Sequence, residues 1–314
     1  MLRTIAALLA AAAVACAAAP ASTPTRVIPQ GVSVAGVAVG GLTAEPARAK
    51  IEASFARPIR VVYRGKTTAV DPKRAGARVD VNAAVASALA ATAHSKIAVP
   101  VRYSAARAAN IVAAIAKNVD RAPVDAAVVG ATTSGPEFSA AHAGIAVDAK
   151  TMQKAIGDLL RDGSRPPLQL LTNSVPPKTT VANFGPVIVV SRAANTLWLY
   201  DGERLVRSFR VATGQAIYPT PAGLWRIMVM QRDPWWYPPT YDTWAKGLKP
   251  VPPGPDNPLG TRWMGLSAPG VGIHGTDAPT SIGYSASHGC IRMQVPDAEW
   301  LFEHVHVGTP VVIL

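Results

Sequence analysis

The stretch "PVIVVSRAANTLWLYDGERLVRSFRVATG", residues 186–214, holds three short runs of β-branched, aromatic and aliphatic residues, broken first by Ala-Asn and then by Asp-Gly. Asp201-Gly202, between the runs 197–200 and 205–211, is a hairpin signal, because a tight two-residue turn favours Asp or Asn followed by Gly. From this point to the end the pattern stays β-like, with one helix expected at 296–304 and a closing strand in "PVVIL". A mainly β domain is therefore expected over residues 184–314, with a boundary near residue 180.

Upstream the periodicity changes. Residues 27–56 read as strand, Gly-Gly turn and helix, with Thr43 as N-cap and Glu45 and Pro46 in the first turn. Residues 59–63 and 67–70 read as a hairpin around Arg64-Gly65. Two Ala-rich helices are expected at 82–93 and 104–118, then a strand pair at 125–135 and 137–148. A further helix starts near Asp148, where Met152, Ile156, Leu159 and Leu160 share one face and Gly163 follows its end. Residues 25–180 are thus expected to be one α+β domain.

The length of 314 residues suits about two domains. The opening "MLRTIAALLAAAAVACAAAPAS" has one basic residue, an apolar run and then a zone of small residues, the pattern of a secretory signal, so residues 1–24 are set aside as signal and linker. Cys16, in "AVAC", weakly resembles a lipoprotein cleavage box, although Ala13 stands where a larger residue is usual. Ordinary cleavage and a membrane anchor at Cys16 both stay open, and either one places the chain outside the cytoplasm. With the signal removed Cys290 is alone, no disulfide framework can form, and an unpaired thiol in an exported chain is a candidate for reactivity.

Net charge is +12, but residues 184–314 carry 10 Lys/Arg against 9 Asp/Glu, so the excess lies in the first part, with 21 against 10. Such an excess attracts polyanions, which for an exported chain are wall polymers or anionic lipid headgroups; simple solubilisation of an Ala-rich domain is the plainer reading. No nucleic-acid module is present to make nucleic acid a partner. Residues 232–258, "RDPWWYPPTYDTWAKGLKPVPPGPDNP", hold too many prolines for a central strand and are expected to be a long loop. Its Trp235, Trp236, Tyr237 and Trp244 would either cover a groove or pack the loop down.

Cys290 sits in "YSASHGCIRM", residues 284–293, directly after His288 and Gly289. A nucleophilic thiol needs a base or a positive field, since its ordinary pKa leaves it mostly protonated at neutral pH. Two histidines are close in sequence, His288 and His274. Gly289 would let backbone N–H groups approach a developing oxyanion. A structural thiol remains open, as does a metal site drawing on His274, His288, Cys290, His304 and His306. The paired ligand spacings usual for zinc are, however, missing.

"IHGTDAPTSIGYSASHGCIRM", residues 273–293, closely resembles the signature of the YkuD-type L,D-transpeptidase catalytic domain. "ANTLWLYDGERLVRSFRVATG", "TPAGLWRI" at 220–227 and "NPLGTRWMGL" at 257–266 occur in the family's order, so the resemblance covers about residues 184–314. It implies a YkuD-like β-sandwich or barrel and acyl transfer on peptidoglycan stem peptides. Cys290 would attack the carbonyl of the third residue of a tetrapeptide stem, D-Ala would leave, and an amine of a second stem would resolve the thioester into a 3→3 cross-link. His274 would be the acid/base, oriented by the Gly275 carbonyl, and the N–H groups of Gly289 and Cys290 would form the oxyanion hole. His288 would shape the site, while Arg292, Ser287, Trp263 and Tyr218 would bind substrate. The resemblance implies no metal or organic cofactor, and a monomer is expected. Carbapenem-type β-lactams are implied as acylators of Cys290.

"VIPQGVSVAGVAVGGLTAEPARAKI" and "HAGIAVDAKTMQKAI" resemble the peptidoglycan-binding domain often found before such catalytic domains, which implies wall binding, with a spacer as the alternative. Two other functions stay open: an L,D-carboxypeptidase, in which water resolves the thioester, and a non-catalytic wall-binding protein. A papain-like protease fits poorly, because there the cysteine precedes the histidine.

Overall fold

The computed structural model of the protein describes residues 26–240 and 243–314, so the expected signal segment and Cys16 lie outside the described residues. Contacts divide the chain into two units, one comprising residues up to Asn118 together with Asp148–Leu171, the other Val119–Val147 with Thr172–Leu314.

In the first unit, helix α1 (Ala44–Ala56) buries Ala47, Ile51 and Phe55 in a core shared with Val34, Val39 and Val85. Thr43 occupies the N-cap in an extended conformation, yet its side chain makes no cap bond, so burial rather than capping holds this end. Helix α2 (Val81–Ala90) is capped by Asp80, which accepts from Ala83 N at 3.0 Å, and it stops short of the expected end because Ala91 is extended. Helix α3 spans Ala105–Val119. The hairpin Ile59–Tyr63 with Lys66–Val70 forms as expected, and Leu168–Gln169 joins its first strand in parallel. Helix α4 (Ala149–Arg161) is capped by Asp148 onto Thr151 N at 3.1 Å. Met152, Ile156 and Leu160 are each 0% exposed, and at about 1.5–3 kcal/mol per buried apolar side chain they anchor the helix.

The second unit is built on an eight-stranded half-barrel sheet. Its strands are β1 (Pro186–Ser191), β2 (Thr196–Asp201), β3 (Arg204–Arg210), β4 (Gly223–Arg232), β5 (Arg262–Leu266), β6 (Gly272–His274), β7 (Ile291–Arg292) and β8 (Pro310–Ile313). They lie in the order β3-β2-β1-β8-β4-β5-β6-β7. The hairpin signalled by Asp201-Gly202 forms, its two-residue turn being Gly202-Glu203 because Asp201 pairs with Arg204, and the Ala194-Asn195 break falls in the turn 192–195; Asn195 and Gly202 have positive φ. Helix α5 (Val295–Phe302) packs Ala298 and Leu301 into the concave core with Ile188, Leu197, Ile227, Met264 and Ile273.

The contiguous first domain expected at 25–180 differs from the contact division. Ile188 and Val190 of β1 face the concave core, while Val187 and Val189 face outward and still need cover. The hairpin Val128–Thr132 with Gly135–Phe138 supplies it, with Val128 packed beside Val187, Val189, Tyr200 and Val312 and with Phe138 edge-on to Phe184 at 4.9 Å. Gly144–Val147, expected to pair with that hairpin, instead pairs with Thr172–Val175. Two middle segments thus belong with the large sheet.

Residues 233–240 and 243–261 run as the expected long loop. Trp236 and Val251 exchange backbone hydrogen bonds at 2.9 Å, and the fully buried Asn257 donates to the carbonyls of Pro234, Val251 and Pro252. In a proline-rich segment short of backbone donors, the Asn257 amide satisfies carbonyls that would otherwise be orphaned. Among the described residues no helix is long and apolar enough to cross a membrane.

Candidate active site

The site lies on β5, β6 and β7, and its layout follows from register. Trp263 pairs with His274, and His274 pairs in parallel with Arg292. One row along, Gly265 pairs with Gly272, and Cys290 stands one residue before the Ile273–Ile291 pair, level with Gly272. Paired residues share a face and alternate residues return to it. Ile273 and Ile291 therefore point into the core at 0% exposure, while Cys290, His274, Arg292 and Trp263 belong to the opposite face.

The two glycines make room for the indole of Trp263. A Cβ on Gly272 would come within 2.3 Å of that ring, and one on Gly265 within 2.9 Å of its Nε1. Trp263 is half-buried, 5.8 Å from the His274 ring between centroids, so it flanks the histidine besides whatever it offers a substrate.

His274 is 4% exposed, and its Nδ1 meets the Gly275 carbonyl at 2.5 Å. Because a carbonyl only accepts, this bond places the proton on Nδ1 and leaves Nε2 the basic nitrogen. Burial lowers the His274 pKa to about 4, aided by the charge of Arg292 and opposed by the Gly275 and Pro258 carbonyls. Burial pushes the Cys290 thiol up, against smaller lowering by the Gly272 backbone and Arg292. Cys290 remains partly accessible, and its Sγ lies 3.6 Å from the Gly270 carbonyl.

The turn before the thiol is closed by Ser287. Its hydroxyl donates to the Cys290 carbonyl at 2.5 Å and accepts from Gly289 N at 3.1 Å. Two expectations change here. Ser287 is 0% exposed with its hydroxyl bonded internally, so it shapes the turn instead of meeting substrate. The Gly289 N–H already has a partner, whereas among the described residues the Cys290 N–H has none. Gly289 is needed for its backbone, at φ 114, a conformation that side chains resist.

His288 is exposed and lies between two rings: Trp244 stacks on it at 3.9 Å and 11°, and Tyr218 is tilted against it at 5.1 Å. Trp244 brings the long loop to the thiol's neighbour, and its buried indole N–H has no partner among the described residues. Arg292 is half-buried, and among the described residues it makes no ion pair, which leaves it free for an anion. His304 stacks on Trp300 at 3.6 Å and His306 Nδ1 meets the Val307 carbonyl, so neither joins His274 and Cys290. Among the described residues no cluster of three or more His, Cys, Asp or Glu could hold a metal ion.

Sequence reasoning missed the Gly265–Gly272 seat of Trp263 and the carbonyls of Gly270 and Pro258. The paired glycines in "WMGL" and "GVGIH" were a visible signal for the first. Nothing marks a backbone carbonyl in advance.

Residues 185–313 match the family described as "L,D-transpeptidase catalytic domain" (YkuD), and residues 69–168 match "Putative peptidoglycan binding domain". The second match begins after the 27–51 stretch that first suggested it. The chain is 34% identical over 134 residues to "Putative L,D-transpeptidase YqjB" of Bacillus subtilis, covering 41% of this chain and 70% of that protein. It is 40% identical over 139 residues to "Probable L,D-transpeptidase ErfK/SrfK" of Salmonella typhimurium, covering 40% of this chain and 43% of that one. A crystal structure of an Enterococcus faecium L,D-transpeptidase mutant has a TM-score of 0.38 at 17% identity, covering 85% of this chain and 98% of that chain.

Proposed function

The chain belongs to the L,D-transpeptidase family, and from that premise we propose that it forms 3→3 cross-links between peptidoglycan stem peptides outside the cytoplasm, through a thioester on Cys290. The observation that carries this reading is the parallel register of β6 and β7, which puts His274 and Cys290 on one face of adjacent strands.

Both groups are neutral at rest, so attack and proton transfer are coupled. The Cys290 sulfur bonds to the carbonyl carbon of the third stem residue as its proton passes to His274 Nε2. The carbonyl oxygen becomes an oxyanion, for which the unpartnered Cys290 N–H is the nearest fixed donor. Collapse breaks the peptide bond, His274 returns the proton to the departing D-Ala amine, and a thioester remains. An amine of a second stem then attacks, His274 takes its proton, and the regenerated thiolate is reprotonated as the new amide forms. The Gly275 carbonyl holds the tautomer, the part a carboxylate plays in other triads. Arg292 binds a substrate carboxylate with its guanidinium fork, while Trp244 and Tyr218, about His288, limit water at the thioester.

Intact-protein mass spectrometry with a disaccharide-tetrapeptide, with Cys290→Ala alongside, tests the proposal. An acyl adduct on the wild type alone, with 3→3 dimers in the mixture, is expected. Tripeptide without dimers would make the protein a carboxypeptidase, and absence of both from folded, reduced protein would leave a wall-binding role.

A further inference from the structure

Four of the arginines of the first part meet at one place in the fold. The segments Arg78–Val79 and Val101–Arg102 pair antiparallel, with Arg78 opposite Arg102 and Val79 opposite Val101. Val79 and Val101 pack against the first unit's core, so the two arginines project together from the other face, both exposed. The same pairing continues through Ser104 N to the Ala75 carbonyl at 2.9 Å, which sets Arg74 and Arg107 beside one another. The Arg107 guanidinium lies across Gly76, where a Cβ would meet its Nη1 at 3.2 Å. Arg74 and Arg107, with Asn110 and Ile111, line a shallow cavity of about 240 Å³.

Like charges directly opposite on paired strands repel, and acids ordinarily relieve such a cluster. Among the described residues none of these four arginines has an ion pair. The acids nearest Arg74 and Arg78 in sequence, Asp71 and Asp80, accept from Lys73 N and Ala83 N as caps. The cavity adds an amide at Asn110 and an apolar floor at Ile111, 8% exposed. Guanidinium forks for carboxylates, an amide for a peptide bond and a floor for a methyl group fit a short carboxylate-bearing peptide better than a uniform phosphodiester chain.

We propose that Arg74 and Arg107, lining the cavity floored by Ile111, together with the paired Arg78 and Arg102 of the adjoining strands, form a binding site for the carboxylates of cell-wall stem peptides, separate from the site of acyl transfer. The choice of stem peptide rests on the proposed function; the anion-binding face stands on its own geometry.

The test uses the full chain carrying Cys290→Ala, so that bound stems are not turned over. Retention is measured on sacculi acid-stripped of phosphodiester polymers, and on the same sacculi with their carboxylates amidated. Arg74→Gln/Arg107→Gln is compared with Arg60→Gln/Lys66→Gln, which removes equal charge from an exposed hairpin of the same unit, and circular dichroism checks folding. Loss of two charge-assisted contacts should weaken retention at least about tenfold. Amidation should do the same, and the hairpin variant should bind like the parent. Equal retention of Arg74→Gln/Arg107→Gln and parent, equal weakening of both variants, or binding that disappears when the phosphodiester polymers are stripped would overturn the proposal. Adduct formation with soluble disaccharide-tetrapeptide, measured with Cys290 intact, reports on the transpeptidase reading by itself, so either can fail without the other.

Discussion

Alkylation of Cys290 by iodoacetamide, followed from about pH 5 to about pH 11, reads the protonation state of the resting thiol, because only the thiolate reacts. Burial lowers His274 from 6.5 to about 4, a bias of about 3 kcal/mol against the imidazolium. Burial also pushes the thiol above its ordinary 9.0, so both shifts oppose proton transfer from Cys290 to His274 at rest. The expected profile therefore rises tenfold per pH unit through neutrality and bends only above 9.0. At neutral pH the thiol should react more slowly than a free one. His274→Ala should leave this profile nearly unchanged, since a neutral imidazole lends no positive field, while abolishing acyl transfer. A reactive plateau between about pH 5 and about pH 8, collapsing in His274→Ala, would refute the reasoning by revealing a thiolate–imidazolium pair.

The same buried imidazole makes stability depend on pH. Its folded pKa lies below its unfolded value, so its contribution is complete above pH 6.5 and is lost as pH falls toward about 4, by up to about 3 kcal/mol, visible as a falling urea midpoint. Gly272→Ala drives a methyl group to 2.3 Å from the Trp263 ring and should cost about 1–3 kcal/mol together with a fall in kcat; an unchanged kcat would mean that the indole does not position His274. Arg292→Lys keeps the charge but loses the fork, so the donor KM should rise about tenfold with little change in kcat, and an unchanged KM would remove the residue from carboxylate binding. Phe138→Ala uncovers part of the outer sheet face and breaks the 4.9 Å contact with Phe184; a loss of about 2 kcal/mol in the cooperative unfolding of the catalytic sheet is expected, and none would sever the hairpin from that sheet.

Much of the fold was legible in local chemistry. Asp201-Gly202 and Ala194-Asn195 specify their turns because only certain residues tolerate positive φ, and Asp80 and Asp148 mark helix starts because their carboxylates accept from exposed N–H groups. The spacing of Met152, Ile156 and Leu160 fixed a buried helix face in the same way. At the site, residue type singled out Cys290 as a candidate nucleophile with His274 and His288 as candidate bases, since few side chains can serve in those roles at neutral pH, and the choice of His274, Gly275 and Gly289 came from the resemblance to L,D-transpeptidase catalytic domains. These signals act within a few residues of chain.

The rest depended on which segments meet. No spacing rule pairs Gly144–Val147 with Thr172–Val175 in preference to the nearer hairpin, or sends residues 128–138 to cover Val187 and Val189. That choice belongs to the apolar face left bare by a strand buried on both sides. The resemblance gives Ser287 as a substrate contact, whereas its burial and its bonds to the Cys290 carbonyl and the Gly289 N–H come only from the tertiary structure. Sequence determined which groups can react and where the chain turns. Strand register decided that Trp263, His274, Arg292 and Cys290 share one face, because side-chain direction alternates residue by residue and a slip of one would have turned the thiol into the core.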